Sequence, residues 1–293
     1  MNKLKGVFAA LLIPYDKDGK VNHEKLEKFV EYNIEVSGVQ GLYINGSTGE
    51  AFMLDSEERK EILKTVAKAA KGRVSLIAQV GQLNIYKALE EAKLAEELGY
   101  DAISAVTPFY YKFSEEQILE YYKTIAESTS LPLIAYYIPL LSNVTFSMAT
   151  FEKLFKIKNV AGVKFTATDL YTLERIKAKH PEVLVYYGFD EQELSAAVYG
   201  IDGFIGSTFN VNAKRAVKLH ELVQAGKLKE ARELQAEIND FIDVVLANGL
   251  YAILKEIIRQ EFDMETVYCR LPMTQDISKY ADEAKKIRDK YLK

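Results

Sequence analysis

The stretch Gly41-Leu42-Tyr43-Ile44-Asn45-Gly46-Ser47-Thr48-Gly49-Glu50 passes from an apolar run of strand length into a turn of small residues. Asp55 and Glu58 then open an amphipathic helical pattern that closes at Gly72. This is one strand–turn–helix unit, and the same unit recurs along the chain. Near-continuous apolar runs at 7–13, 41–45, 75–80, 102–106, 133–137, 162–165, 184–187 and 203–206 read as strands covered on both faces. Between them lie helical stripes: Leu26, Phe29, Val30 and Ile34 behind an Asn22 cap, and Ile85, Leu89, Ala92 and Leu98 ending at Gly99. Another follows a Ser114–Gln117 capping box. Weaker helical patterns fall at 148–155, 170–179, 191–199 and 213–225.

Eight strands, each followed by a helix, predict an α/β protein of the closed (β/α)8 TIM-barrel class. The alternative is an open doubly wound sheet. Against it, no Gly-x-Gly-x-x-Gly follows the first strand, and the units are evenly spaced with no linker between them. After Gly226 the strands stop. Residues 227–248, 250–261 and 278–291 are helical, with apolar stripes that need a surface to cover. The expected organisation is a barrel over 1–226 and a C-terminal helical extension over 227–293, packed on the barrel as a single structural unit.

Composition narrows the function. The chain has 293 residues, 48% hydrophobic and 27% charged, with a net charge of -4. That balance gives no electrostatic footprint for nucleic acid. Cys269 is the single cysteine, so no intrachain disulfide can form. The apolar run after Lys3 and Lys5 ends in Pro14-Tyr15-Asp16 without a small-residue cleavage site, and no run approaches the roughly 18 apolar residues of a membrane span. The expected location is cytoplasmic, with no membrane partner.

In a barrel the chemistry belongs at the C-terminal strand ends. Those ends carry Ser47-Thr48-Gly49-Glu50, Thr107-Pro108-Phe109-Tyr110, Tyr136 or Tyr137, Lys164-Phe165-Thr166, Gly188-Phe189-Asp190-Glu191 and Ser207-Thr208. Lys164 is the distinctive member, an amine inside the apolar run Ala161-Gly162-Val163-Lys164-Phe165. Buried there, its pKa falls and the neutral amine can attack a carbonyl carbon; turned to water, it is an ordinary surface lysine. Ser47 and Thr48 could hold a carboxylate through backbone N–H groups and hydroxyls, or simply cap a tight turn. A phenol at Tyr136 or Tyr137 could relay protons, or fill the barrel mouth. His23, His180 and His220 fall on helices or helix ends without a base partner or metal spacing, and Cys269 reads as a buried structural thiol. No metal site is expected.

At 41–50 the sequence resembles the dihydrodipicolinate synthase/N-acetylneuraminate lyase family. The resemblance continues through Ser104-Ala105-Val106-Thr107-Pro108-Phe109-Tyr110-Tyr111, Tyr136-x-Ile138-Pro139, Gly162-Val163-Lys164, Gly188-Phe189-Asp190-Glu191 and Gly206-Ser207-Thr208-Phe209-Asn210, in the family's order. It implies a (β/α)8 Schiff-base aldolase that needs no metal or organic cofactor. Lys164 would form an imine with the pyruvate carbonyl, Ser47 and Thr48 would hold its carboxylate, and Tyr136 would be the proton-relay phenol. Tyr136 is matched because the family tyrosine lies three residues before the proline; Tyr137 stands where relatives often have asparagine.

The resemblance also bears on substrate. Lysine-pathway synthases usually carry an arginine just after that proline, and Pro139-Leu140-Leu141-Ser142 has none. Gly188, Asp190 and Glu191, with Thr166 and Ser207, match the positions where the sialic acid lyases of the family bind the sugar. The implied reaction is reversible cleavage of N-acetylneuraminate to N-acetylmannosamine and pyruvate, with Val163 and Phe165 expected as the apolar walls around the amine. The alternatives are a pyruvate aldolase acting on a 2-keto-3-deoxy sugar acid, or a non-catalytic barrel that binds a sugar acid. Relatives are commonly tetramers, so a homotetramer is expected, with Tyr110 as a supporting residue at a subunit contact.

Overall fold

The computed structural model describes residues 2–274 and 276–292. Eight strands close into one barrel in sequence order: β1 (Gly6–Ala10), β2 (Gly41–Ile44), β3 (Ser75–Gln79), β4 (Ala102–Val106), β5 (Leu133–Tyr137), β6 (Val160–Phe165), β7 (Leu184–Tyr187) and β8 (Gly203–Gly206). Every pairing is parallel, and β8 returns to β1 with Gly203 opposite Gly6. A parallel pair needs a crossover, and the amphipathic patterns supply helices for it.

The side-chain period of two divides the apolar residues into two layers. Phe8, Tyr43, Ile77, Ile134, Tyr136, Leu184, Tyr186 and Ile205 fill the barrel interior. Val7, Leu42, Ile44, Ala135, Tyr137, Val163, Phe165 and Val185 face outward into the larger core beneath the helices. Full burial of one large aliphatic or aromatic side chain contributes about 1.5–3 kcal/mol, so the outer layer is where most of the helix-docking energy lies.

The helix starts follow their caps. Asn22 accepts a hydrogen bond from Lys25 N, and both Asp55–Glu58 and Ser114–Gln117 form reciprocal capping boxes. Three boundaries differ from expectation. β1 stops at Ala10 although residues 11–13 stay buried. β8 ends at Gly206, so beyond Ala10 the Asn210 side chain takes over, accepting from Leu12 N and donating to Ala10 O. The expected helix at 191–199 is a 3-10 turn, Asp190–Gln192, followed by the short helix Glu193–Ala197. The Asp190 carboxylate accepts hydrogen bonds from Thr208, and Gln235 donates to Asp190 O while accepting from Leu194 N, which holds that turn. The helix expected to begin at 213 starts at Phe209, with a non-helical Asn212 near its start.

Beyond the barrel run helices Leu228–Ala247 and Leu250–Glu261, then a 3-10 turn at Ser278–Tyr280 and helix Ala281–Ile287. A buried ion pair, Glu50 to Lys255, ties this region to the turn after β2. Among the described residues no helix is long and apolar enough to cross a membrane.

Candidate active site

Strand alternation decides between the two tyrosines at the end of β5. Tyr136 points into the barrel, opposite Lys164 in the β5–β6 register. Tyr137 points outward and packs its ring 5.1–5.2 Å from Phe146, Phe151 and Phe165. The same alternation corrects one expectation. Val163 and Phe165 flank Lys164 in sequence and therefore face away from it, into the outer core. The walls around the amine are Tyr136 and Tyr43, whose ring centroids lie 3.9 and 4.7 Å from Lys164 Nζ. The two rings meet edge to face at 84°.

Lys164 is 5% exposed. Burial pushes its amine down to about 7, against an upward pull from the Asp190 carboxylate. Burial pushes the Asp190 carboxyl up to about 6, offset in part by hydrogen bonds from Thr208. Burial also pushes the Tyr136 phenol up to about 12, while the adjoining Ser47 and Thr166 hydroxyls pull it down. Near neutral pH the site thus holds an amine close to its midpoint and a fully protonated phenol.

Ser47 and Thr48 begin a 3-10 turn, Ser47–Gly49, directly after β2. Thr48 Oγ1 lies 2.7 Å from Ser207 Oγ at the end of β8, which closes the barrel mouth across β1. Gly188 and Gly206 are glycines because neighbouring side chains occupy the space of a Cβ. At Gly188 it would lie 2.0 Å from Thr166 Oγ1, and at Gly206 1.7 Å from Asp190 Oδ1. Thr208 donates to Asp190 Oδ2 from its backbone N (2.8 Å) and its hydroxyl (2.6 Å). That fixes one carboxylate oxygen and leaves Oδ1 beside Gly206.

These groups converge on a cavity of about 270 Å³ that contains Ser47, Thr48, Tyr136, Lys164, Thr166, Gly188, Asp190, Glu191 and Ser207 in its lining. Glu191 is exposed, so it stands at the rim. Tyr110 does not reach this cavity; it is 85% exposed, with a left-handed backbone (φ 75). An apolar annex shares Ser47, Ile138, Leu141 and Tyr251 with the cavity and runs on to Phe52, Met53 and Phe109. Leu141 lines both spaces, so the wall they share there is apolar.

Several residues around the amine and the cavity were not expected. Tyr43 was readable in principle, since it alternates with the outward Leu42 and Ile44. Ile242, Leu246, Leu250 and Tyr251 come from the two helices beyond the barrel, and no strand-end argument could find them. Burial pushes the Tyr251 phenol up to about 12. The histidines lie away from the cavity: His23 pairs with Thr65 and His220 with Gln224, and His180 follows the helix Leu170–Lys179. Cys269 is buried, and burial pushes its thiol up to about 11, the behaviour of an inert thiol. Among the described residues, no group of three or more His, Cys, Asp or Glu side chains is placed to hold a metal ion.

Similarity to known proteins agrees with this geometry. The chain is 50% identical to the N-acetylneuraminate lyase of Pasteurella multocida (strain Pm70) over 293 residues, all of both chains. It superimposes on CdNal from Clostridium difficile, solved in complex with mannosamine, with TM-score 0.95, 47% identity and 98% and 99% coverage of the two chains. It superimposes on N-acetylneuraminate lyase from Fusobacterium nucleatum complexed with pyruvate with TM-score 0.93, 43% identity and 100% and 98% coverage. Residues 3–290 match the family model of the Dihydrodipicolinate synthetase family, and the chain belongs to that family.

Proposed function

We propose that the protein is a Schiff-base aldolase that cleaves N-acetylneuraminate reversibly to N-acetylmannosamine and pyruvate. The observation that carries the reading is Lys164: a buried amine, inside a barrel, with its pKa brought to about 7 and a phenol on the neighbouring strand. Full-length likeness to N-acetylneuraminate lyases supports the choice of substrate. The stretch Pro139-Leu140-Leu141-Ser142, which offers no guanidinium for a carboxylated aldehyde, supports it too.

The open-chain sugar acid presents its C2 ketone to Lys164 and its C1 carboxylate to Ser47 and Thr48. The neutral amine adds to C2, and loss of water gives a protonated imine. As the C3–C4 bond breaks, its electron pair flows into the imine and leaves an enamine. The C4 hydroxyl loses its proton in the same step. A phenol with its pKa at about 12 is a poor free base. Tyr136 therefore works as a relay, taking that proton while its own passes through Ser47 to the substrate carboxylate. N-acetylmannosamine departs, the enamine takes a proton at C3, and water releases pyruvate from Lys164.

Asp190, Glu191, Thr166, Gly188 and Ser207 also line the cavity and suit a polyol chain, with the Asp190 carboxylate as an acceptor. No metal or organic cofactor enters this scheme. We also infer a cytoplasmic homotetramer, an expectation that rests on the family resemblance. Borohydride reduction in the presence of pyruvate tests the covalent step: the reading requires a stable mass adduct on Lys164, and an adduct elsewhere overturns it.

A further inference from the structure

The turn that carries Ser47 and Thr48 ends on Glu50, which is 2% exposed and left-handed, with φ 59. Its Oε1 accepts a hydrogen bond from Lys255 Nζ at 2.5 Å, and its Oε2 accepts one from Arg270 N at 2.6 Å. Lys255 is fully buried, donates also to Tyr268 O, and sits 4.6 Å from the centre of the Tyr15 ring. The Tyr15 hydroxyl in turn donates to Gly49 O at 2.7 Å. Lys255 lies one helical turn beyond Tyr251, which lines the cavity. One carboxylate thus joins the turn after β2, the helix Leu250–Glu261 and the segment around Arg270.

Stability alone does not account for this construction. A buried ion pair is often no better for stability than apolar groups of the same shape. A left-handed conformation at a residue other than glycine is strained, and it persists where the surroundings enforce it. Both costs fall on the residue that ends the turn bearing the two hydroxyls.

We propose that Glu50 is a positioning residue: through Lys255 and Arg270 N it holds the Ser47–Thr48 turn at the separation from Lys164 that a 2-oxo acid requires. The proposal rests on the aldolase reading and deepens it. Because Glu50 acts on the carboxylate holder and not on the amine, its loss penalises only ketones that carry a carboxylate.

Borohydride trapping separates the two cases, with pyruvate and with hydroxyacetone, a three-carbon ketone lacking the carboxylate. Glu50→Gln is expected to slow trapping by pyruvate about tenfold and to leave trapping by hydroxyacetone at the wild-type rate. The double variant Glu50→Leu/Lys255→Met leaves no unpaired buried charge, and it gives the same comparison should the single variant fail to fold. Equal loss with both ketones, or loss with neither, overturns the proposal. Absence of any pyruvate adduct in the wild-type protein overturns the aldolase reading itself, and with it this one.

Discussion

Tyr136 and Lys164 are register partners on adjacent barrel strands, with the lysine amine 3.9 Å from the centre of the tyrosine ring. Parallel neighbours in register project side chains to the same face. The amine and the phenol are therefore set side by side by the sheet itself, without any contribution from a loop.

That pairing separates the two tyrosines experimentally. Tyr136→Phe keeps the ring over the amine and removes the relay hydroxyl, so pyruvate trapping should persist while cleavage slows by about 10²–10⁴-fold. Tyr137→Phe should leave kcat nearly unchanged, since its ring serves the outer aromatic cluster. Steady-state cleavage of N-acetylneuraminate by both variants checks this, and the reverse pattern would place the relay on the wrong strand face.

The pH dependence of imine formation follows from the lowered amine. Attack requires the neutral form, so the rate of pyruvate trapping should climb with pH around a midpoint of about 7. The Asp190 carboxylate raises that value. Asp190→Asn should accordingly move the midpoint to lower pH, which single-turnover trapping across pH 5–9 would detect (a range of about two units each side of the midpoint). A shift to higher pH would contradict the assigned sign.

Stability should carry the same signature. In the unfolded chain the lysine keeps its proton up to about pH 10.4, whereas the folded amine releases it at about 7. Between those values the unfolded state binds more protons, so folding stability rises with pH across the window. Lys164→Met should remove that slope. Urea denaturation should find the variant's advantage largest near pH 7 and shrinking toward pH 10; a constant difference would mean that the folded amine titrates normally.

Gly188 offers a steric test of the cavity wall. A methyl group there would lie 2.0 Å from Thr166 Oγ1. Gly188→Ala should cost about 1–3 kcal/mol through overpacking, and adding Thr166→Ala should recover part of it. A double-mutant cycle by thermal denaturation reads the coupling; strictly additive effects would show that the two positions do not touch.

Much of this was legible in the sequence because the barrel writes its pattern locally. Apolar runs, small-residue turns and caps such as Asn22 and Asp55–Glu58 located strands and helices to within a few residues. Lys164 stood out as an amine in an apolar run. The run at 7–13 overshot its strand because burial and sheet pairing are separate properties, and Leu12 is buried without a strand partner. Val163 and Phe165 were assigned to the wrong side because neighbours in sequence are opposites across a sheet. Tyr251 and Leu246 were missed for a different reason: their place at the cavity depends on how two helices from the far end of the chain lie across the barrel mouth, which no local pattern encodes.

The two rings around Lys164 reach beyond the resting amine. The imine proposed to form on it would again be a nitrogen cation, in almost the same position. The electron-rich faces of Tyr43 and Tyr136 are already turned toward that point. On the proposed reaction, a pocket dry enough to free the amine of its proton thus carries its own substitute for solvent, ready for the moment the charge returns as an iminium.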